Sequence, residues 1–185
     1  MSKFPVLHTE RLVLREFQKS DAQAVFNAFS QDIVTRYHNL ETMQSIEQAK
    51  KLMQVRASLF EKGLGVRWAL ALKDQQDVAI GSCGYYAANK AFHSIEIGYD
   101  LHPDHWGRGL MQEALTAVIN LGFGDAFFFR LNRIEALTYL EHKASIALLK
   151  RLGFQQEGVR REYGYWKNQF HDLCGFSLLR RDWET

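Results

Sequence analysis

The sequence has few cysteines and few prolines, two of each in 185 residues. Cys83 and Cys174 lie far apart in strand-like segments, so they form neither a disulfide framework nor a metal-ligand spacing. Unpaired cysteines fit a reducing compartment. No stretch approaches the ~18 consecutive apolar residues of a membrane-spanning helix, and residues 1–5 are not followed by the apolar segment of a signal peptide. We therefore expect a cytoplasmic protein that does not associate with a membrane.

The sequence also lacks an excess of either charge. Lys and Arg number 23 against 21 Asp and Glu, a formal net charge of +2, which does not indicate nucleic-acid binding by bulk charge. The histidines do not cluster in a metal-ligand pattern, so we expect no metal. With 46% apolar and 24% charged residues, the composition is that of an ordinary globular protein. The length predicts one domain over residues 1–185.

Hydrophobic periodicity predicts an α/β chain with the element order β-α-α-β-β-β-α-β-α-β-β. One helix is predicted behind the capping box Ser45–Gln48, and another from about Gly109 to Phe127. The second helix joins predicted strands 94–101 and 133–140, which implies a parallel pair with a right-handed crossover. The other predicted strands are 11–17, 66–73, 78–87, 155–163 and 170–179. One further predicted helix is short and capped by Ser20 or Asp21, and another spans 144–152.

The segment from Leu101 to Met111 carries the most information, because a predicted strand ends there and a helix begins. Gly107 and Gly109 lack side chains, so a ligand can approach the backbone closely. The first N–H groups of a helix have no intrahelical partner and lie at the positive end of its dipole, which makes an anion site. Arg108 adds a positive charge, and a pyrophosphate fits this pattern. A tight turn that binds nothing is the alternative interpretation.

Three motifs in register resemble the GNAT acetyltransferase superfamily. Residues Leu101–Ala114, with Trp106-Gly107-Arg108-Gly109 at their centre, are similar to its motif A, and residues Ala144–Phe154 are similar to its motif B. Residues Thr9–Arg15 and Leu178–Trp183 resemble the branch of Rim-type ribosomal-protein N-acetyltransferases. The resemblance implies an α/β, single-domain GNAT-like fold, in which a mixed central sheet has a splayed pair of parallel strands and helices on both faces.

The resemblance also implies an acetyl-CoA site on the glycine loop. The family pattern there is Gln/Arg-x-x-Gly-x-Gly/Ala, and this chain has Trp106 at the first position and Met111 at the last. Backbone N–H groups of residues 107–111 are expected to hold the pyrophosphate, since they do not depend on side chains. The cofactor-binding residues implied in this way are Leu101, Trp106, Gly107, Arg108, Gly109, Leu110, Met111, His142 and Ser145.

Acyl transfer to an amine needs an oxyanion donor and a neutral amine. The resemblance assigns the oxyanion to the backbone N–H of Leu101, and such a donor contributes roughly 3–4 kcal/mol. Glu96 faces away from the isoleucines that flank it and is the first candidate for the general base. Glu162, on the strand after motif B, is the second candidate. The alternative for Glu96 is a strand glutamate paired with a surface cation.

The leaving thiolate needs a proton or a stabilising donor. Many GNAT enzymes use a tyrosine for this purpose, but Leu149 stands at that position, and the resemblance to the Rim-type branch offers Ser145 instead. A role limited to capping its helix is the alternative for Ser145. His142 stands where the family often has an asparagine that bonds the pantetheine, and a surface histidine without a role is equally open.

Acceptor recognition is expected from segment 33–42, which contains Tyr37 and His38, with Tyr85 and Trp166 as an aromatic wall. Core packing is the alternative for each aromatic residue. The sequence predicts an N-acetyltransferase that moves the acetyl group of acetyl-CoA to a primary amine by direct attack on the thioester. The expected acceptor is the N-terminal α-amine of a protein, a ribosomal protein by resemblance. A small-molecule amine (a polyamine or an antibiotic) and a non-enzymatic CoA-binding module remain alternatives, and the chain is expected to be a monomer or a homodimer.

Overall fold

The computed structural model describes residues 3–125 and 127–183, which contain one eight-stranded sheet and six α-helices. The strands are β1 (Leu7–His8), β2 (Leu12–Arg15), β3 (Val66–Leu72), β4 (Gly81–Asn89), β5 (Ser94–Leu101), β6 (Arg133–Tyr139), β7 (Gln155–Trp166) and β8 (Gln169–Leu179). The helices are α1 (Ala22–Phe29), α2 (Asp32–Thr35), α3 (Ile46–Glu61), α4 (Leu110–Phe123), α5 (Lys143–Arg151) and α6 (Arg180–Trp183).

The sheet is mixed, with the strand order β1-β2-β3-β4-β5-β6-β8-β7. Neighbouring strands are antiparallel except for β5 and β6, which are parallel. This pair is in register only from Ser94–Arg133 to Glu96–Glu135. Beyond Glu96 the two strands separate, so the predicted splayed pair is confirmed.

Helices cover both faces of the sheet, as predicted. The Tyr85 hydroxyl of β4 donates to the Val118 carbonyl of α4 at 2.9 Å, whereas Arg56 of α3 reaches Ser82 on the opposite face of the same strand at 3.0 Å. The α4 face holds the main apolar core, to which Ile95 and Ile97 contribute. A smaller apolar cluster lies between α1 and α3.

Local sequence signals account for most element boundaries. Ser45 and Gln48 form the predicted capping box at the start of α3. Helix α4 ends at Phe123, earlier than the predicted Phe127, because Gly124 leaves the helical conformation with ψ of 167°. Helix α2 was not predicted, because it is a single turn inside a polar segment.

Two further observations concern the whole of the described chain. No helix in residues 3–125 and 127–183 combines the length and apolar character needed to cross a bilayer. Across the same residues, no three His, Cys, Asp or Glu side chains are grouped so that they could hold a metal ion.

Candidate active site

A cavity of about 850 Å³ lies where β5 and β6 separate. One wall is the carboxyl end of β5 with the glycine loop and the start of α4, and the other is one side of α5 along its length. The segment around α2 completes it from the α3 side of the sheet. Because Tyr99 and Asp100 both line the cavity and alternate residues of a strand face opposite sides, the cavity reaches both faces of the sheet.

The glycine loop presents its backbone to this cavity. Gly107 and Gly109 have φ of +70° and +74°, and Gly109 is the N-cap residue immediately before α4. A Cβ on Gly107 would meet nothing within 4 Å, so the space beside it is open. Of the predicted cofactor-binding residues, the cavity is lined by Leu101, Trp106, Gly107, Gly109, Leu110, Met111, His142 and Ser145.

Arg108, which was expected to add positive charge at the anion site, is the exception among these residues. Its guanidinium lies 3.3 Å from His105 Nδ1 and does not line the cavity. The Arg108 carbonyl accepts a hydrogen bond from Arg11 Nη1 at 2.9 Å.

A polar clamp, formed by Thr9, Arg11 and Glu113, holds the glycine loop and the start of α4. Glu113 Oε1 accepts from Thr9 Oγ1 at 2.5 Å and from the Arg11 backbone N–H at 2.7 Å, while Glu113 Oε2 accepts from Arg11 Nε at 2.6 Å. Burial alone would raise the pKa of Glu113, but these hydrogen bonds outweigh burial and lower it. The clamp brings together two segments that the sequence analysis singled out separately.

The backbone N–H of Leu101 points into the gap between the strands. The His102 N–H donates to the Ile80 carbonyl on the β4 side at 2.8 Å. Successive N–H groups along a strand point to opposite sides, so the Leu101 N–H points toward β6, beyond the last residue pair of β5 and β6. The Leu101 carbonyl accepts from Trp106 Nε1 at 2.7 Å, which fixes the strand end to the glycine loop.

Ser145 lies on the opposite wall, in the first turn of α5. Its hydroxyl is 2.7 Å from the Tyr99 hydroxyl of β5. Helix α5 begins after His142, which makes no side-chain capping bond, and Ser145 Oγ has no hydrogen bond to the helix backbone within residues 3–125 and 127–183. His142 stacks on Tyr37 at 4.4 Å between ring centroids.

A buried charge cluster lies behind the cavity on the α3 side. Asp100 Oδ2 accepts from Arg56 at 3.0 Å, from Arg67 at 2.5 Å and from Ser82 Oγ at 2.6 Å. Burial alone would raise the pKa of Asp100, but the two guanidinium charges outweigh burial and lower it. Burial lowers the pKa of Arg56 to about 10. This cluster is not among the features predicted from the sequence, although Arg56 follows Ala49 and Met53 on the buried stripe of α3.

Glu96 faces away from Ile95 and Ile97, as predicted, but it does not line the cavity. It sits at the last paired position of β5 and β6. Burial raises the pKa of Glu96, a hydrogen bond from Tyr86 opposes that shift, and the charge of Glu135 adds to it. At ~3.3 Å per residue, roughly 16 Å of strand separates Glu96 from Leu101, so Glu96 can exchange a proton with a group beside Leu101 only through water.

Comparisons with known proteins identify the family. Residues 11–155 match the family described as the acetyltransferase (GNAT) domain. The chain belongs to the GNAT acetyltransferases. It is 39% identical to the uncharacterized N-acetyltransferase YoaA of Bacillus subtilis (strain 168), over 96% of this chain and 98% of that protein. It is 27% identical to the [ribosomal protein uS5]-alanine N-acetyltransferase of Escherichia coli (strain K12), over 96% of this chain and 92% of that one.

The solved structures share the fold. RimL, a ribosomal alpha-N-protein acetyltransferase solved in complex with coenzyme A, superposes with a TM-score of 0.80 at 19% identity, over 95% of this chain and 98% of that one. The GNAT family uses acetyl-CoA, and the cavity fits that cosubstrate. The free N–H groups at the start of α4 and the open space beside Gly107 suit a pyrophosphate. Lys143 and Arg151, which the sequence analysis did not single out, add positive charge to the α5 wall.

The structure does not support Glu162 as a candidate for the base. Its side chain is exposed on β7 and lies outside the cavity. Regular alternation of side chains does not hold at this point of the strand, because the register with β8 shifts between Arg160 and Gly164, and Glu162 has φ of +49°. Its backbone N–H donates to Asp172 Oδ1 at 2.7 Å, which stabilises the irregularity.

Two of the four predicted acceptor-binding residues line the cavity. Tyr37 and His38 form its wall on the α2 side. Burial lowers the pKa of His38 to about 4, so its ring is neutral near pH 7. Trp166 stands one layer behind, since its indole donates to the Tyr139 hydroxyl and the Tyr139 ring lies 5.6 Å from Tyr37.

Tyr85 is the wrong choice among these aromatic residues. It is 1% exposed and packs edge-on against Trp68 and Phe127 in the main core. Its hydroxyl is satisfied by the Val118 carbonyl of α4. Strand alternation puts Tyr85 on the same face as buried Cys83, and this signal could have assigned Tyr85 to the core from the sequence.

Proposed function

We propose that this GNAT N-acetyltransferase transfers the acetyl group of acetyl-CoA to the N-terminal α-amine of a protein. The charge of the cavity carries this choice of acceptor. Its lining carboxylates are Asp100, already bonded to two guanidinium groups, and Glu141, while Arg36, Lys143 and Arg151 contribute cations. A polyamine needs several free carboxylates, so this lining disfavours it.

The pKa of the acceptor amine supports the same choice. An α-amine has a pKa of ~7.7–8.0 and a lysine side chain one of ~10.4. Near neutral pH an α-amine is partly uncharged, so it needs only modest help to lose its proton. Glu96 can supply this help as a distant base. It lies outside the cavity, and burial raises its pKa.

We assign the residues the following roles in this reaction. The backbone N–H of Leu101 donates to the oxyanion that develops on the acetyl group. Glu96 receives the amine proton through water, and the Ser145 hydroxyl donates to the departing thiolate sulfur. The N–H groups at the start of α4 hold the pyrophosphate, together with Lys143. The relative that acetylates alanine of ribosomal protein uS5 suggests a ribosomal acceptor. We propose that the reaction takes place in the cytoplasm and that the enzyme is a monomer or a homodimer.

An acceptor panel tests the proposal. It holds peptides with a free N-terminus, the same peptides with a blocked N-terminus and an internal lysine, spermidine and an aminoglycoside. Each is incubated with acetyl-CoA, and released CoA and acetylated product are quantified. We expect turnover of free N-termini to exceed that of the other amines by at least an order of magnitude. Preferred acetylation of lysine or spermidine contradicts the proposed acceptor, and CoA binding without turnover of any amine contradicts enzymatic activity.

A further inference from the structure

We propose that Tyr99 is a positioning residue that directs the proton of Ser145 into the cavity. The two hydroxyl oxygens are 2.7 Å apart and join the β5 wall to the α5 wall. This inference rests on the proposed role of Ser145 and adds a residue to which the sequence analysis gave no part.

The Tyr99 hydroxyl is held in place by its ring. Tyr99 is partly buried and packs against the main core on the α4 face. Burial raises the pKa of Tyr99 to about 12, although the hydrogen bond to Ser145 acts in the opposite direction. The phenol therefore keeps its proton throughout the working range of pH and remains a donor.

Only one of the two hydroxyls can donate in this hydrogen bond. A phenol is the more acidic group and hence the better donor, while the oxygen of an alkyl alcohol is the better acceptor, because the phenol oxygen shares its lone pair with the ring. The favoured arrangement has Tyr99 donating to Ser145 Oγ. The Ser145 proton is then left for another acceptor, and the described residues provide none on the helix.

Ser145 and Leu101 both line the cavity, so the remaining Ser145 proton can be donated to a thioester sulfur held there for attack beside Leu101. Donation from Tyr99 also polarises the Ser145 O–H, since hydrogen bonds in a chain strengthen one another. When the carbon–sulfur bond breaks, the electron pair stays on sulfur and accepts the Ser145 hydrogen bond. Tyr99 loses no proton in this step, which agrees with its raised pKa.

A double-mutant cycle tests the arrangement with Tyr99→Phe, Ser145→Ala and the double variant. The measurements are kcat and kcat/KM with the best acceptor of the panel, and the Kd of CoA without acceptor. Removing a general acid costs 10²–10⁴-fold, and we expect about 10²-fold in kcat for Ser145→Ala because a thiolate is a fair leaving group. For Tyr99→Phe we expect kcat to fall about tenfold, because Ser145 remains but Tyr99 no longer orients its hydroxyl. The double variant should match Ser145→Ala, and the Kd of CoA should change less than twofold in all three.

The control is Tyr165→Phe, because Tyr165 is 62% exposed on β7 and lies outside the cavity. Ser145→Thr keeps a hydroxyl and should retain most of kcat. The proposal is overturned if Tyr99→Phe has the kcat of the wild type, if the two losses multiply in the double variant, or if Tyr99→Phe lowers kcat more than Ser145→Ala does. A failure of the acceptor proposal appears separately, as a preference for another amine in the panel, and the cycle is then run on that amine.

Discussion

Gly109 has φ of +74° immediately before α4, where the backbone faces the cavity. A side chain in this left-handed conformation costs ~1–2 kcal/mol, and more when it is β-branched. We expect Gly109→Val to raise the Kd of acetyl-CoA at least tenfold, because the valine strains the loop that carries the free N–H groups and places its Cβ 3.6 Å from Arg11 Nη2 of the polar clamp. Isothermal titration with CoA measures the effect.

A second glycine provides the matched control for Gly109. Gly63 has φ of +64° after the end of α3, a Cβ on it would meet nothing within 4 Å, and it lies outside the cavity. Gly63→Val should lower the melting temperature by a similar amount and leave the Kd of CoA unchanged. Equal losses of affinity in both variants would mean that backbone strain, and not the position at the cavity, weakens binding.

Glu96 provides a second test at the residue scale. Glu96→Gln should lower kcat/KM about tenfold between pH 6 and 9, less than the 10²–10⁴-fold of a base in direct contact, because the proton passes through water. Because the pKa of Glu96 is raised, its carboxylate becomes protonated on acidification at a higher pH than that of an ordinary glutamate. The protonated group no longer acts as a base. Steady-state kinetics across this range, with exposed Glu162→Gln as control, make the measurement. If Glu96→Gln is as active as the wild type, water alone accepts the amine proton and Glu96 is not the base.

At the scale of elements, the polar clamp ties the β1–β2 segment to the start of α4. Arg11 contributes a backbone and a side-chain bond to Glu113 and a third bond to the Arg108 carbonyl. Arg11→Ala should therefore raise the Kd of CoA severalfold and leave kcat at saturating acetyl-CoA unchanged, because Arg11 lies outside the cavity. Such a change removes binding energy that is equal in the ground state and in the transition state.

The matched control for the clamp is Lys50→Ala, which breaks an exposed ion pair of 3.4 Å on α3. Exposed pairs contribute ~0–1 kcal/mol, so neither affinity nor kcat should move. If Arg11→Ala binds CoA as tightly as the wild type does, the glycine loop keeps its shape without the clamp.

The elements themselves were predictable where their signals are local. The capping box of Ser45 and Gln48 and the alternation of Ile95, Glu96 and Ile97 appear in the structure as predicted. Glu162 could not be assigned correctly, because a shift in register with β8 changes which way its side chain points, and the sequence contains no local signal for that shift. The motifs indicated the two cavity walls that carry the predicted cofactor-binding residues, because the glycines of the loop determine its backbone shape locally.

The contacts that the sequence did not reveal join distant segments. Tyr99 meets Ser145 across 46 residues, and Arg56 meets Asp100 across 44. Pattern analysis within one element describes neither pair, because each depends on how a strand and a helix are arranged in space. The site therefore had to be completed from the structure, although its position at the end of β5 was predicted.

At the scale of the molecule, the two faces of the sheet differ in chemistry. The α4 face is an apolar core, whereas the α3 face buries the Asp100 cluster with its two arginines next to the cavity. A buried ion cluster stabilises the fold weakly compared with apolar packing, but removing one partner leaves an uncompensated charge and costs 3–5 kcal/mol. Because Asp100 also lines the cavity, the cluster links the stability of the whole domain to the shape of the cavity on the α3 side.

Asp100→Asn tests this link through its dependence on pH. We expect the variant to lose about 3–5 kcal/mol of unfolding free energy at pH 7, because Arg56 and Arg67 stay buried without a carboxylate. The pKa of Asp100 is lowered in the folded protein, so its contribution is complete above the unfolded value of ~3.9 and is lost as the pH falls through the lower folded value. Urea unfolding from pH 7 to pH 2 should show the two proteins converging only below about pH 4. Asp74→Asn, in an exposed turn, should follow the wild type throughout, and a constant difference between Asp100→Asn and the wild type would contradict the linkage.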